Sequence, residues 1–383
     1  MVLMAMFGII AVVVVVVAVV LMNANNNQAP PATNPPPATN PPVVATPVAQ
    51  EPTAVPPTEA PPTPTPPPTV PPVQTFGQVS FASSNDDVLG DTVSVQLRGL
   101  SPASNDYIAW LINTGNNENL RLGEVILDAR GNGVLNYTDA EGRMLPALFN
   151  AFIITDEASP TDAPAGNEVY RASVPVELAQ ALYAILVADD EGINGSGLLE
   201  SLSIEANFAH EHAGFALSSA ERGSLGGVKT HGEHVINILN GERMDYNGDG
   251  QGQNPGRGEG VYKFIDLINN HVFNAIGVES ASLSLQVNAE NILICTENIR
   301  LWADEAKVDF QPALDAGENT DVTTLVEDLQ TGVLALEHLL KGFDANENGR
   351  IDPTEGECGV AQIAEFSLLV SVMDIVESES GNE

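Results

Sequence analysis

The sequence predicts a chain in four successive parts: a transmembrane helix over 1–22, a proline-rich linker over 23–75, an antiparallel β-sandwich over 76–175 and an all-α helical bundle over 176–383. Three observations carry this reading. An unbroken apolar run opens the chain, 19 prolines crowd residues 30–72, and the hydrophobic period changes from two to 3.6 after Pro175.

Composition narrows what such a chain can meet. Of 383 residues, 51 are Asp or Glu and 14 are Lys or Arg, a formal net charge of −37. A field of that sign repels nucleic acid and anionic membrane surfaces and attracts divalent cations. Aromatic residues make up only 5%, so the cores must come from the aliphatic part of the 43% hydrophobic fraction.

Val2 to Met22 carries no charge and is apolar apart from Gly8. As a helix this run covers roughly 30 Å, the hydrocarbon thickness of a bilayer. The first basic residue is Arg98, so the basic start of a secretory signal is missing, and the run is longer than a usual signal core. Both features favour an uncleaved single-pass anchor in the cell membrane. A cleaved segment would instead give a secreted protein, and on either reading the bulk of the chain is extracytoplasmic. The linker that follows, as in Pro61-Pro62-Thr63-Pro64-Thr65-Pro66, fixes φ and lacks backbone donors. Polyproline II is its default form and spacing its expected task.

In the third part Val93, Val95 and Leu97 alternate with Ser94 and Gln96. Further strands are expected at 107–112, 120–127, 134–137, 149–155 and 169–174, with Gly, Asn, Asp and Pro between them. The order Leu97-Arg98-Gly99-Leu100-Ser101-Pro102, Tyr107-Ile108-Ala109-Trp110-Leu111-Ile112, Leu122-Gly123-Glu124-Val125 and Ile153-Ile154-Thr155-Asp156-Glu157 resembles the extracytoplasmic domain of anti-sigma-K factors. The resemblance covers about residues 88–174, without the cytoplasmic sigma-binding part. It implies an extracytoplasmic sandwich and only that; sigma binding does not carry over. Trp110 is read as a core residue of a central strand rather than a ligand-stacking ring.

In the fourth part helices are expected near 176–189, 197–222, 225–243, 261–278, 284–307, 322–342 and 360–377. Over 261–276 the residues Val261, Phe264, Ile265, Ile268, Val272, Ala275 and Ile276 share one face, as a bundle requires. Two acidic loops interrupt the helices. In Asp344–Glu355, oxygen donors stand at Asp344, Asn346, Asn348 and Asp352, Gly349 allows the sharp turn, Arg350 offers its carbonyl and Glu355 closes the loop. Ca²⁺ needs six to eight oxygens, and this spacing wraps them as an EF-hand loop does. The loop from Asp245 to Gly256 is a degenerate version with Asp245, Asn247, Asp249 and Gln251 as donors; Glu259, three residues late, stands in for the closing carboxylate. Glu233-His234 before one loop and Glu337-His338 before the other suggest a degenerate internal duplication.

All six histidines, His210, His212, His231, His234, His271 and His338, fall in the helical part. His231 and His234 share a helical face, and bundle histidines are how such folds hold a transition metal or haem. No Cys-x-x-Cys-His or repeated Glu-x-x-His supports that use, so capped or solvent-facing histidines are the preferred reading. Cys295 and Cys358 are either a disulfide, as export allows, or two unrelated buried thiols. No nucleophile elbow, His-Glu-x-x-His or phosphate loop points to an enzyme. The expectation is a membrane-anchored extracytoplasmic calcium-binding protein with an interaction or sensing role toward an unidentified protein partner. The alternative is a transition-metal- or haem-binding bundle used in redox or transport.

Overall fold

The computed structural model describes residues 74–85, 88–102, 105–159, 161–278 and 283–378, all within the unit Val70–Glu383. The expected membrane helix over 1–22 and the linker through residue 73 lie outside the described residues. Among the described residues no helix is long and apolar enough to cross a membrane.

Among the described residues eight strands form one antiparallel sheet: β1 (Gly77–Ala82), β2 (Thr92–Leu97), β3 (Asp106–Ile112), β4 (Asn119–Glu124), β5 (Gly133–Thr138), β6 (Ala151–Glu157), β7 (Asn167–Ser173) and β8 (Met373–Glu377). Their order is β4-β3-β6-β7-β8-β1-β2-β5, and the sheet curls until the edge strands β4 and β5 meet. The alternation that marked β2 sets its register. Val93 and Val95 lie opposite Phe81 and Val79, all four buried, while Ser94 faces Ser80 on the other side. Trp110 is fully buried on β3; its Nε1 donates to Thr155 Oγ1 at 3.0 Å, and that hydroxyl donates to Glu157 Oε1 at 2.7 Å.

Among the described residues there are eight α-helices: α1 (Leu145–Leu148), α2 (Val176–Leu186), α3 (Leu198–Glu221), α4 (Leu225–Asn240), α5 (Val261–Ile276), α6 (Leu283–Asp315), α7 (Val326–Lys341) and α8 (Val360–Val370). Helix α1 has no counterpart among the expected helices, and two of the expected ones differ markedly in extent. Helix α6 runs past Lys307 and through Pro312, because Phe310, Ala313 and Leu314 bury its last turns in the bundle. The helix expected over 360–377 is corrected: it ends at Val370, and residues 373–377 form β8. Met373 and Ile375 are buried while Asp374 is exposed, a period of two that the preceding helical pattern hides. Strand β8 pairs Ile375 with Gly77 of β1 and Val376 with Arg171 of β7, so residues 373–377 complete the sheet begun at residue 77. Sheet and helices share one apolar core.

Candidate metal centre

The α3–α4 hairpin builds this site from small residues. Along α3, Leu198, Leu202, Ala206, Ala209, Ala213, Ala216 and Ala220 recur at steps of three and four and are fully buried. Five of the seven are methyl side chains, so α4 packs close with Val228, Val235, Ile238 and Leu239. The turn between the helices is short. Gly223 takes φ of +70°, and Ser224 caps α4 by accepting from the Gly227 amide. In an antiparallel hairpin, positions equally far from the turn lie opposite each other. His212 lies 11 residues before Gly223, and His231 and His234 lie 8 and 11 after it.

The three imidazoles therefore meet. His212 Nδ1 stands 3.2 Å from His231 Nδ1 and 3.1 Å from His234 Nδ1, and the ligand nitrogens of all three lie within 4.8 Å of one another. A tetrahedral ion with metal–nitrogen bonds of about 2.0–2.1 Å spaces its ligands ~3.3 Å apart. The donor set fits such an ion. Burial pushes His212 down to about 4, with His234 and His231 adding to the effect. His231 is lowered by burial first, then by His234 and Arg222. Both rings are thus held in the neutral form that can donate a lone pair to a metal. Phe215, one turn along α3, packs edge-on to His212 at 5.4 Å and against His231 at 5.3 Å. Among the described residues this is the group of His, Cys, Asp or Glu side chains spaced to hold a metal ion. The sequence signal that finds it is the equal spacing about the Gly-Ser turn; the two histidines on α4 alone miss the third ligand.

The remaining histidines are elsewhere. His271 Nε2 lies 3.4 Å from Asp189 Oδ2. His338 stacks on Phe343 at 4.5 Å and meets Trp302 edge-on, and its burial lowers its pKa. His210 lines a surface groove with Glu200, Asn207, Phe208 and Arg257.

The two acidic loops share one backbone form. Asp344 accepts the amides of Asn348 and Gly349, Asn346 that of Asn348, and Asn348 that of Arg350. Asp245 accepts the amides of Asp249 and Gly250, Asn247 that of Asp249, and Asp249 that of Gln251. The fourth and sixth positions have positive φ in both loops: Gly248 and Gly250 in one, Glu347 and Gly349 in the other. Glu355 is exposed, whereas Glu357 is buried and accepts from Asn346 Nδ2 at 2.6 Å and from the Asp352 amide at 2.9 Å. Asp352 Oδ2 receives Asn348 Nδ2, and Arg350 pairs with Asp352 at 3.3 Å. The Glu259 carboxylate pairs with Lys263 at 2.7 Å. Sequence reasoning missed Glu357 because its spacing falls two residues beyond the motif. Compared with protein-family models, with curated proteins and with solved structures, the chain matches none. The likeness to the anti-sigma-K domain and to EF-hand loops therefore rests on the motifs themselves.

Proposed function

We propose that the protein is a membrane-anchored, extracytoplasmic binding protein whose helical region holds a divalent transition metal through His212, His231 and His234. The convergence of three imidazole Nδ1 atoms, with neighbours at 3.1 and 3.2 Å, carries this reading. Imidazole donors suit zinc, copper, nickel or iron, and carboxylate-free sites do not suit calcium. The ring centroids lie 4.8–5.6 Å apart, a spacing that supports a single ion as the ligand. The apolar segment and proline-rich linker support export, and the Cys295–Cys358 disulfide suits an oxidising compartment. The test is to strip the full chain with chelator and titrate it with Co²⁺ as a visible probe. One equivalent should bind with the absorption of a tetrahedral nitrogen site, and His212→Ala or His234→Ala should abolish it. A wild-type chain that binds no Co²⁺, Zn²⁺ or Cu²⁺ overturns the reading.

A second reading, calcium binding, is supported by the common backbone of the loops at Asp245 and Asp344. Asp344, Asn346, Asn348, Arg350 and Asp352 would supply the stronger site, with Asp245, Asn247, Asp249 and Gln251 the weaker. On this reading the carboxylates of an acidic exported chain are braced by Ca²⁺, and the protein serves an interaction or sensing role toward a partner outside the cell.

A further inference from the structure

The centre has a support that its three ligands do not reveal. His234 is the most buried of the three rings, at 7% exposure, and turns Nδ1 toward His212. Its other nitrogen, Nε2, lies 3.3 Å from Gln253 Oε1. An imidazole that gives its Nδ1 lone pair to a metal carries its proton on Nε2 and needs an acceptor there. The amide oxygen of Gln253 is that acceptor.

The position of Gln253 is set by the helix that carries His234. Its backbone amide donates to Glu233 Oε1 at 2.9 Å, and its carbonyl accepts from Asn237 Nδ2 at 2.9 Å. Glu233 and Asn237 are fully buried, one residue before His234 and one turn after it. The same two side chains hold the start of the loop. Glu233 Oε2 accepts the amides of Tyr246 and Asn247 at 2.9 and 3.0 Å, and Asn237 exchanges two hydrogen bonds with the Met244 backbone. The 244–253 loop is thus fastened at both ends to the helical turn that presents His234.

We propose that Gln253 is a positioning residue of the histidine centre, and that through it the 244–256 loop sets the metal affinity. This rests on the transition-metal reading above. Gln253 touches no metal; it fixes the tautomer and the ring plane of His234. Without it the ring is free to carry its proton on Nδ1, which removes one of three donors.

The experiment uses the full chain, Co²⁺ titration and the visible absorption of the bound ion. Gln253→Leu removes the acceptor, and Gln253→Glu replaces it with a stronger one. The expected result is a loss of about 10- to 100-fold in Co²⁺ affinity for Gln253→Leu. Gln253→Glu should bind as tightly as wild type or more tightly. Because the Gln253 side chain is at the surface, the metal-free melting temperature should stay near wild type in both variants. Equal affinity in wild type and Gln253→Leu overturns the proposal. Equal weakening by Leu and Glu also overturns it, since a loop brace without the hydrogen bond would produce that result. A wild-type chain that binds no Co²⁺ removes the metal reading, and this inference with it.

Discussion

Cys295 of α6 is bonded to Cys358 across 63 residues, joining the bundle to the segment that leaves the Asp344 loop. Asn298, three residues along the same helix, reinforces the junction. Its Nδ2 donates to the carbonyls of Thr354 and Cys358, and its Oδ1 accepts the Gly356 amide. A closed loop of this size restricts the unfolded chain by about 4 kcal/mol on the chain-entropy account. Cys295→Ala with Cys358→Ala should therefore lower unfolding free energy by about 2–4 kcal/mol in denaturant titration. Melting that is the same with and without reductant, after confirmed reduction, would contradict a stabilising bond.

Strand β8 makes residues 373–377 part of the fold. Ile375 is fully buried, and its carbonyl accepts the Phe76 amide at 2.7 Å where the described chain enters the sheet. Deleting residues from 373 onward would leave β1 and β7 with unpaired edges in the middle of the sheet. Ile375→Ala should cost about 2–5 kcal/mol, as other deletions of buried aliphatic side chains do. The truncated chain should aggregate or melt far below wild type. Wild-type melting of the truncated chain would show that the strand is dispensable.

The parts legible in the sequence were those written in a single local period. Helix α5 was readable because Val261, Phe264, Ile265, Ile268, Val272 and Ala275 all bury one stripe. Strand β2 was readable because Val93, Val95 and Leu97 all point into the core. Strand β8 was not, since its five residues follow a helix without a break signal and find partners about 200 and 300 residues earlier. The histidine centre needed two pieces, a helical face and a turn that pairs two helices. Only the face at His231 and His234 is local. Glu357 shows the same limit: a carboxylate that closes a loop from the wrong spacing is found by packing and not by motif.

Asp139 ties acid stability to one contact in the β-sheet region. Its carboxylate is nearly buried and accepts from Arg143 Nε at 3.1 Å and Nη2 at 2.8 Å, and from the Arg143 amide at 3.0 Å. The Arg143 side chain, opposed by burial, holds Asp139 down to about 2, below its ordinary value of 3.8. A depressed carboxylate adds stability that is fully present above the unfolded value and is lost as pH falls through the folded one. Wild type should lose melting temperature between pH 4 and pH 2, and Asp139→Asn should flatten that part of the profile. Arg143→Met should lower stability at pH 7 by about 1–3 kcal/mol, because it leaves a buried acceptor short of partners. Parallel acid profiles for wild type and Asp139→Asn would assign the loss to other groups.

The two glutamates after the Asp344 loop separate bracing from calcium binding. Glu357 is 2% exposed and holds both Asn346 and Asp352. Gln at this position keeps one acceptor and turns the other into a donor, so it should cost about 1–3 kcal/mol without any cation. Glu355 is exposed, and Glu355→Gln should change metal-free stability by less than about 0.5 kcal/mol. Calcium reverses the ranking if Glu355 swings in as the bidentate closing ligand. Binding to the folded chain alone raises stability by about 2.7 kcal/mol when free Ca²⁺ stands a hundredfold above the dissociation constant. Extracellular sites of this kind have dissociation constants of about 10⁻⁴ to 10⁻³ M, so titration to tens of millimolar spans the range. The melting temperature of the wild-type chain should rise over that titration. Glu355→Gln should lose most of the rise, and Asp344→Asn should lose it as well. Glu259→Gln should leave it unchanged, since that carboxylate pairs with Lys263. A full calcium response in Glu355→Gln together with none in Glu357→Gln would make Glu357 the closing ligand. No response in wild type would remove calcium from both loops and leave the histidine centre as the candidate metal site among the described residues.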